Sequence, residues 1–318
     1  MRKPSLILCW VASFAGPAAA NEYVISPGSD IVGEVQVIEA VFEDTFFQLA
    51  RRFNVGFEEL EQANPGVDSL LPGEGTQIVI PTQHVLPDAP RRGIVINIPE
   101  FRLYYFPPDD PTRVITHPIG IGREGWTTPF GTTTVVRKQH LPTWTPPASV
   151  RAEHAARGDI LPAVVAPGPD NPLGEHALYL GFASYLVHGT NKPAGVGMRV
   201  SHGCIRMFPA DIESLFGIVE PGTPVTIVNQ PYKMGWGDGG LYLEAHPPLQ
   251  EEREDWTATE LTRRYVAVTS ERTVQVRWNE ADAVAELADG LPEFISVEGT
   301  ITLADRGDET DETSVVAE

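Results

Sequence analysis

Residues 184–207 read SYLVHGTNKPAGVGMRVSHGCIRM. The run YLV has strand character and ends on His188 and Gly189; Pro193, Gly195 and Gly197 then break the chain into a loop, and RVS leads to Ser201, His202, Gly203 and Cys204. This pattern predicts a strand, a loop and a second short segment, with an imidazole and a thiol as candidate partners. A thiol is a strong nucleophile only as thiolate, and an imidazole within hydrogen-bond reach can take its proton. Cys204 is therefore the candidate nucleophile and His188 the candidate base. Gly203 leaves room for a substrate carbonyl, so the N–H groups around Gly203 and Cys204 are candidate oxyanion donors, with Ser201 and Gly189 bordering the same site. Arg206, two residues beyond the thiol, shares its face if the segment is extended and could favour the thiolate or hold a carboxylate. On spacing alone duller readings stand beside these: a structural histidine, a surface arginine, a plain turn, or zinc on His188, His202 and Cys204, although catalytic zinc sites usually bring a carboxylate or a third histidine.

Outward from this stretch, GIVINI, FRLYYF, RVITHPIGIG, TTTVVRK, HALYLGF and TPVTIVN are rich in β-branched and aromatic residues and are bounded by Pro and Gly, which predicts a mainly β region, sandwiched or barrel-like. PADIESLFGIV, after the cysteine, has helical spacing, with Ile212, Leu215, Phe216 and Val219 on one face. Upstream, residues 36–81 form a compact unit. A strand, the two amphipathic stretches EDTFFQLARRF and VGFEELEQAN, and a returning strand TQIVIP are punctuated by Asn64-Pro65-Gly66 and Pro72-Gly73.

Of the two cysteines, Cys9 lies in MRKPSLILCWVASFAGPAAA, where Arg2 and Lys3 precede an apolar run that closes on small residues, the pattern of a secretory signal peptide cut before Asn21. Cleavage leaves Cys204 alone in an exported chain, so it cannot be half of an internal disulfide. The net charge of −20 makes nucleic acid an unsuitable partner and suits a self-repelling, soluble surface.

The string DTFFQLARRFNVGFEELEQANPGV resembles the helical core of a LysM module, with Glu43-Asp44 where that family usually has Gly-Asp; the resemblance implies binding of peptidoglycan glycan strands. HGT followed by RVSHGCIRM resembles the signature of the YkuD-type L,D-transpeptidase catalytic domain. PIGIG, PTWTPP and LPAVVAPGPDNPLG extend the likeness to the ErfK/YbiS-like branch. That resemblance implies Cys204 as acyl-accepting nucleophile, His188 as proton acceptor and donor, and His202 as an orienting or oxyanion-side residue. It also implies periplasmic acyl transfer on peptidoglycan stem peptides, with no cofactor and no metal. Cys204 would attack the carbonyl of the third residue, usually meso-diaminopimelate, and expel D-alanine. The thioester would pass to the lysine of a Braun-type lipoprotein or to a second diaminopimelate, or to water, which would make the site an L,D-carboxypeptidase. A carbapenem would inhibit, and a periplasmic thiol reductant would protect the cysteine. A papain-type or NlpC/P60 hydrolase is the rival, and chain order speaks against it, because those place cysteine before histidine.

The domain expectation is thus a signal peptide over 1–20, a LysM-like module over 36–81, a catalytic domain over 93–229, an accessory region over 230–304 and an acidic, disordered tail over 305–318.

Overall fold

The computed structural model describes residues 20–251, 258–297, 299 and 302–303. The proposed signal peptide, apart from Ala20, and the acidic tail lie outside them.

The chain begins with β1 (Asn21–Val24) and β2 (Ile31–Gly33), then β3 (Gln36–Glu39), α1 (Phe46–Phe53), α2 (Phe57–Ala63), β4 (Gln77–Ile80) and β5 (Gln83–Val85). β3 and β4 pair antiparallel, and the two helices pack on them around Phe46, Leu49, Phe57, Leu60, Ile78 and Ile80. Local chemistry explains α1. Thr45 Oγ1 accepts from the Gln48 N–H (3.3 Å), Gln48 Oε1 accepts from the Thr45 N–H (2.9 Å), and Asn54 ends the helix in the left-handed region at φ 51°.

The next elements are β6 (Gly93–Asn97), β7 (Arg102–Phe106), β8 (Arg113–Pro118), β9 (Ile121–Gly122), β10 (Gly131–His140), α3 (Ala148–Ala156), β11 (His176–Leu180), β12 (Leu186–His188), β13 (Arg199–Ser201), β14 (Ile205–Arg206), α4 (Pro209–Ile218) and β15 (Pro224–Val228). Every stretch read as β in the sequence contains a strand. They form one curled nine-stranded sheet, in the order β1-β8-β7-β6-β15-β10-β11-β12-β14, open like a half-barrel, while β13 and β9 make a separate parallel pair. Its core runs from Ile94, Ile96 and Leu103 through Leu178 and Val187 to Ile205, Met207, Ile212 and Leu215. The β12–β14 pairing is parallel, which requires a crossover; the loop 189–204 supplies it and carries the thiol to the edge of the sheet.

C-terminal to the sheet lie β16 (Tyr232–Gly237), β17 (Gly240–Ala245), α5 (Ala258–Val268), β18 (Arg272–Thr273), α6 (Trp278–Leu287), β19 (Glu293–Phe294) and β20 (Thr302–Leu303). The β16–β17 hairpin has its own core, with Trp236, Leu241, Leu243, Leu261 and Ile295.

Buried ion pairs join these units. Arg102 of β7, fully buried, donates through Nη2 to Glu59 of α2 (2.6 Å) and through Nη1 to Thr116 Oγ1 (3.2 Å). Lys233 Nζ of β16 lies 2.8 Å from both Glu100 and Glu244 and 2.8 Å from the Val85 carbonyl. His84, Glu100 and Glu244 have the residue types of a metal cage, but the Lys233 ammonium already supplies the cation between the two carboxylates.

Candidate active site

β12 ends on His188 and β14 holds Arg206 directly beside it in parallel register, with the Met207 N–H donating to the His188 carbonyl at 2.9 Å. Cys204 immediately precedes β14 and is half-buried; its Sγ–H points to the Ser184 carbonyl at 3.6 Å, across the entry to β12. The thiol, the imidazole and the guanidinium thus share one sheet edge.

Burial and charge set their protonation. His188 is 4% exposed and its Nδ1–H donates to the Gly189 carbonyl at 2.5 Å, a bond that fixes the tautomer and leaves Nε2 as a proton acceptor. Desolvation, reinforced by the Arg206 cation, lowers its pKa to about 4. The imidazole is neutral at physiological pH. Burial raises the Cys204 thiol above its ordinary value, while the Leu186 N–H and Arg206 pull the other way and lose. Arg206 favours the thiolate in sign, yet burial leaves the thiol protonated and the imidazole neutral.

The turn before Cys204 is built from its own polar groups. Ser201 Oγ donates to the Cys204 carbonyl (2.5 Å) and accepts from the Gly203 N–H (3.1 Å). Gly203 sits at φ 98°, and a Cβ there would meet Tyr185 and the Thr127 carbonyl at 3.1 and 3.2 Å. Its N–H is therefore committed inside the turn, and the oxyanion expectation narrows to the N–H of Cys204. Gly189 is a packing position: an added Cβ would lie 3.1 Å from Ile212 of α4, and its carbonyl is what orients His188.

His202 faces away from the thiol. Its Nε2 lies 3.1 Å from Glu153 on α3 and 3.1 Å from Arg123 Nη2, Arg123 itself pairs with Glu153, and the Trp126 ring stands edge-on at 4.6 Å. Imidazole and carboxylate so arranged serve orientation. His188, His202 and Cys204, the candidate zinc ligands, do not bring their ligand atoms together within the reach of one ion among the described residues. Sequence reasoning missed Arg123, Trp126 and Glu153, and also Thr128, whose Oγ1 donates to the Gly203 carbonyl at 2.9 Å. Trp126 stood in a Gly-flanked loop next to PIGIG and could have been flagged; Glu153 sits in a helix whose apolar stripe is a single buried Val150.

A cavity of about 250 Å³ lies away from this edge, between Asp88 and Arg264, and its Arg91 and Arg264 are already paired with Asp30 and Asp88.

Comparison with known proteins fits this geometry. A family model described as the L,D-transpeptidase catalytic domain, YkuD, matches residues 91–227. Probable L,D-transpeptidase YcfS of Escherichia coli strain K12 is 49% identical over 76% of this chain and 78% of that protein. The chain belongs to the L,D-transpeptidase family. Probable L,D-transpeptidase ErfK/SrfK of the same strain is 41% identical over 93% of this chain and 98% of its own length, and Probable L,D-transpeptidase YbiS is 43% identical over 86% and 89%, which supports the ErfK/YbiS-like branch. Among the described residues of this L,D-transpeptidase, no helix is long and apolar enough to cross a membrane.

Proposed function

We propose that Cys204 is the acyl-accepting nucleophile and His188 its general base and acid, acting on peptidoglycan stem peptides in the periplasm. The carrying observation is the parallel pairing of His188 with Arg206, which brings a neutral imidazole of fixed tautomer to the strand that begins at the thiol. In the acylation step the Cys204 proton moves to His188 Nε2 as sulfur attacks the carbonyl of the third residue, usually meso-diaminopimelate. The C–N bond to D-alanine then breaks, its amine takes that proton, and a thioester remains. An incoming amine reverses the sequence: a second diaminopimelate gives a 3→3 cross-link, and a Braun-type lipoprotein lysine gives an anchored lipoprotein.

The 36–81 unit would hold the glycan of the same polymer, with Phe42, Leu70 and Leu71 exposed on its two loops. Export follows from the N-terminal apolar run behind Arg2 and Lys3, and a strained β-lactam carbonyl, as in a carbapenem, would acylate the same sulfur.

Incubation with disaccharide-tetrapeptide, followed by mass spectrometry, tests the reading. Loss of D-alanine with a cross-linked dimer is expected. Release without transfer would make the enzyme an L,D-carboxypeptidase, and an unchanged tetrapeptide would overturn the assignment.

A further inference from the structure

The loop that brings the nucleophile back to the sheet is anchored outside the catalytic sheet. Gly197, at φ +75°, lies so close to the start of α2 that an added Cβ would fall 2.4 Å from both Gly56 Cα and Phe57 N, and its carbonyl accepts from the Glu58 N–H at 3.1 Å. Met198 is half-buried in the core of the two-helix unit, against the cluster of Phe46, Leu49, Phe57 and Leu60, and not in the core of the sheet. The next residue, Arg199, donates its N–H to the Glu58 carboxylate and opens β13, which runs to Ser201 and so to the turn that holds Cys204. Met198 also accepts from the Ile121 N–H at 3.1 Å, so one short segment is clamped between α2 and β9. On the other side of the nucleophile, Asn54 of the same unit donates to Asp211 of α4 at 3.0 Å. The N-terminal unit therefore grips the chain both before and after Cys204.

We propose that Met198, with Gly197 and Glu58, is a positioning contact through which the N-terminal two-helix unit sets the placement of Cys204. The unit is then a part of the catalytic apparatus and not only a tethered binder. The physical ground is that attack needs the sulfur aligned to within a fraction of an ångström, and a loop anchored by its own side chain in a foreign core loses that alignment when the anchoring side chain is removed. The inference rests on Cys204 being the nucleophile.

The test uses the full chain and a carbapenem, with the adduct followed by intact mass so that the maximal acylation rate and the half-saturating concentration are separated. Met198→Ala is expected to lower the maximal rate about tenfold with little change in half-saturation, because alignment and not binding is lost. Met198→Leu should restore the rate. Val67→Ala, which trims the same core on the loop beyond α2, should leave it unchanged even where it lowers the melting temperature as much. Wild-type acylation by Met198→Ala, or equal slowing by Val67→Ala, would overturn the proposal. Should Met198→Ala fail to fold, Glu58→Ala carries the test: slowed acylation supports the contact, and a wild-type rate overturns it. Absence of any adduct on the wild-type chain, or an adduct that persists in Cys204→Ala, is a failure of the nucleophile assignment and not of this contact.

Discussion

The junction around Lys233 and the edge around Cys204 are both built of polar groups within an apolar frame, and they treat those groups in opposite ways. At the junction the ammonium has Glu100, Glu244 and the Val85 carbonyl at 2.8 Å each, and Arg102 is held by Glu59 and Thr116. At the edge, the thiol has only the Leu186 N–H and a 3.6 Å contact to the Ser184 carbonyl, and the buried Arg206 Nε has no hydrogen-bond partner. A fully partnered buried charge fixes a structure; an incompletely partnered one is available to a substrate. The difference teaches where chemistry is held in reserve. It can be broken by removing groups from each region in turn.

The largest effect is expected at the edge. Cys204→Ala removes the sulfur and few contacts, so D-alanine release should fall to background while the melting temperature hardly moves. His188→Ala should slow acylation by roughly 10²–10⁴-fold, the usual worth of a placed general base. A loss of similar size in His202→Ser would contradict the division of roles, because His202 is turned to Glu153. That substitution, or Glu153→Gln, should cost less than about tenfold through looser placement of α3 over the turn.

At the junction the effect should appear in stability. Arg102→Leu leaves Glu59, 5% exposed, as a buried carboxylate without its cation, and breaking such a pair costs about 3–5 kcal/mol. Burial already raises the Glu59 pKa, so the folded chain binds its proton more readily than the unfolded chain. Stability from this group is therefore lost as pH rises from its unfolded value through its folded one, and removal of Arg102 should steepen that loss. Urea unfolding at pH 5 and pH 8 measures both; equal destabilisation at the two pH values would mean that Glu59 does not titrate against folding.

The same contrast governs what the sequence revealed. Runs rich in β-branched and aromatic residues and bounded by Pro and Gly located the strands, although β6 and β7 are buried at every position and so show no alternation, and Gly-Cys behind a strand-ending histidine located the edge. The junction was illegible: Glu59, the pair Glu100 and Arg102, and the hairpin residues Lys233 and Glu244 come from three separated parts of the chain, each is an ordinary surface residue by type, and only tertiary packing turns them inward. The Glu153–His202 contact was hidden for the same reason, as was the grip of the two-helix unit on Met198. In the C-terminal region, the YKMGWG–GLYLEA hairpin was legible in principle, with Gly239 at φ +81° in its turn, but it was read only as part of an accessory region over 230–304.

Arg206 sharpens the comparison through pH. Its cation lowers the pKa of both His188 and Cys204, so Arg206→Met should raise both. In the wild type the base form of His188 persists down to about pH 4, which keeps acylation near its plateau at pH 5, where an unperturbed imidazole would be mostly protonated. In Arg206→Met the acid limb should move up toward the ordinary histidine value and the alkaline limb for thiol alkylation should move up as well. A profile of carbapenem acylation and iodoacetamide alkylation from pH 4 to pH 10 checks the pair, and limbs that stay in place would show that Arg206 does not act on these groups.

The smallest effect concerns oxidation. The sequence alone suggests an exposed thiolate that air would readily convert to sulfenic acid, with no second mature cysteine to resolve it. Burial raises the thiol pKa, and the Sγ–H is directed at the Ser184 carbonyl, so the resting sulfur is protonated and a poor target for peroxide. Protein purified without reductant should therefore retain most of its activity, with a modest gain on dithiothreitol, and the mass of the Cys204 peptide should show mainly unmodified thiol. A thiol reductant would matter only to the fraction caught with the proton on His188. Arg206→Met, which raises the thiol pKa further, should oxidise more slowly than the wild type. Faster oxidation in that variant would mean that Arg206 shields the sulfur more than it activates it, and would reverse the role assigned to the half-buried guanidinium at the edge.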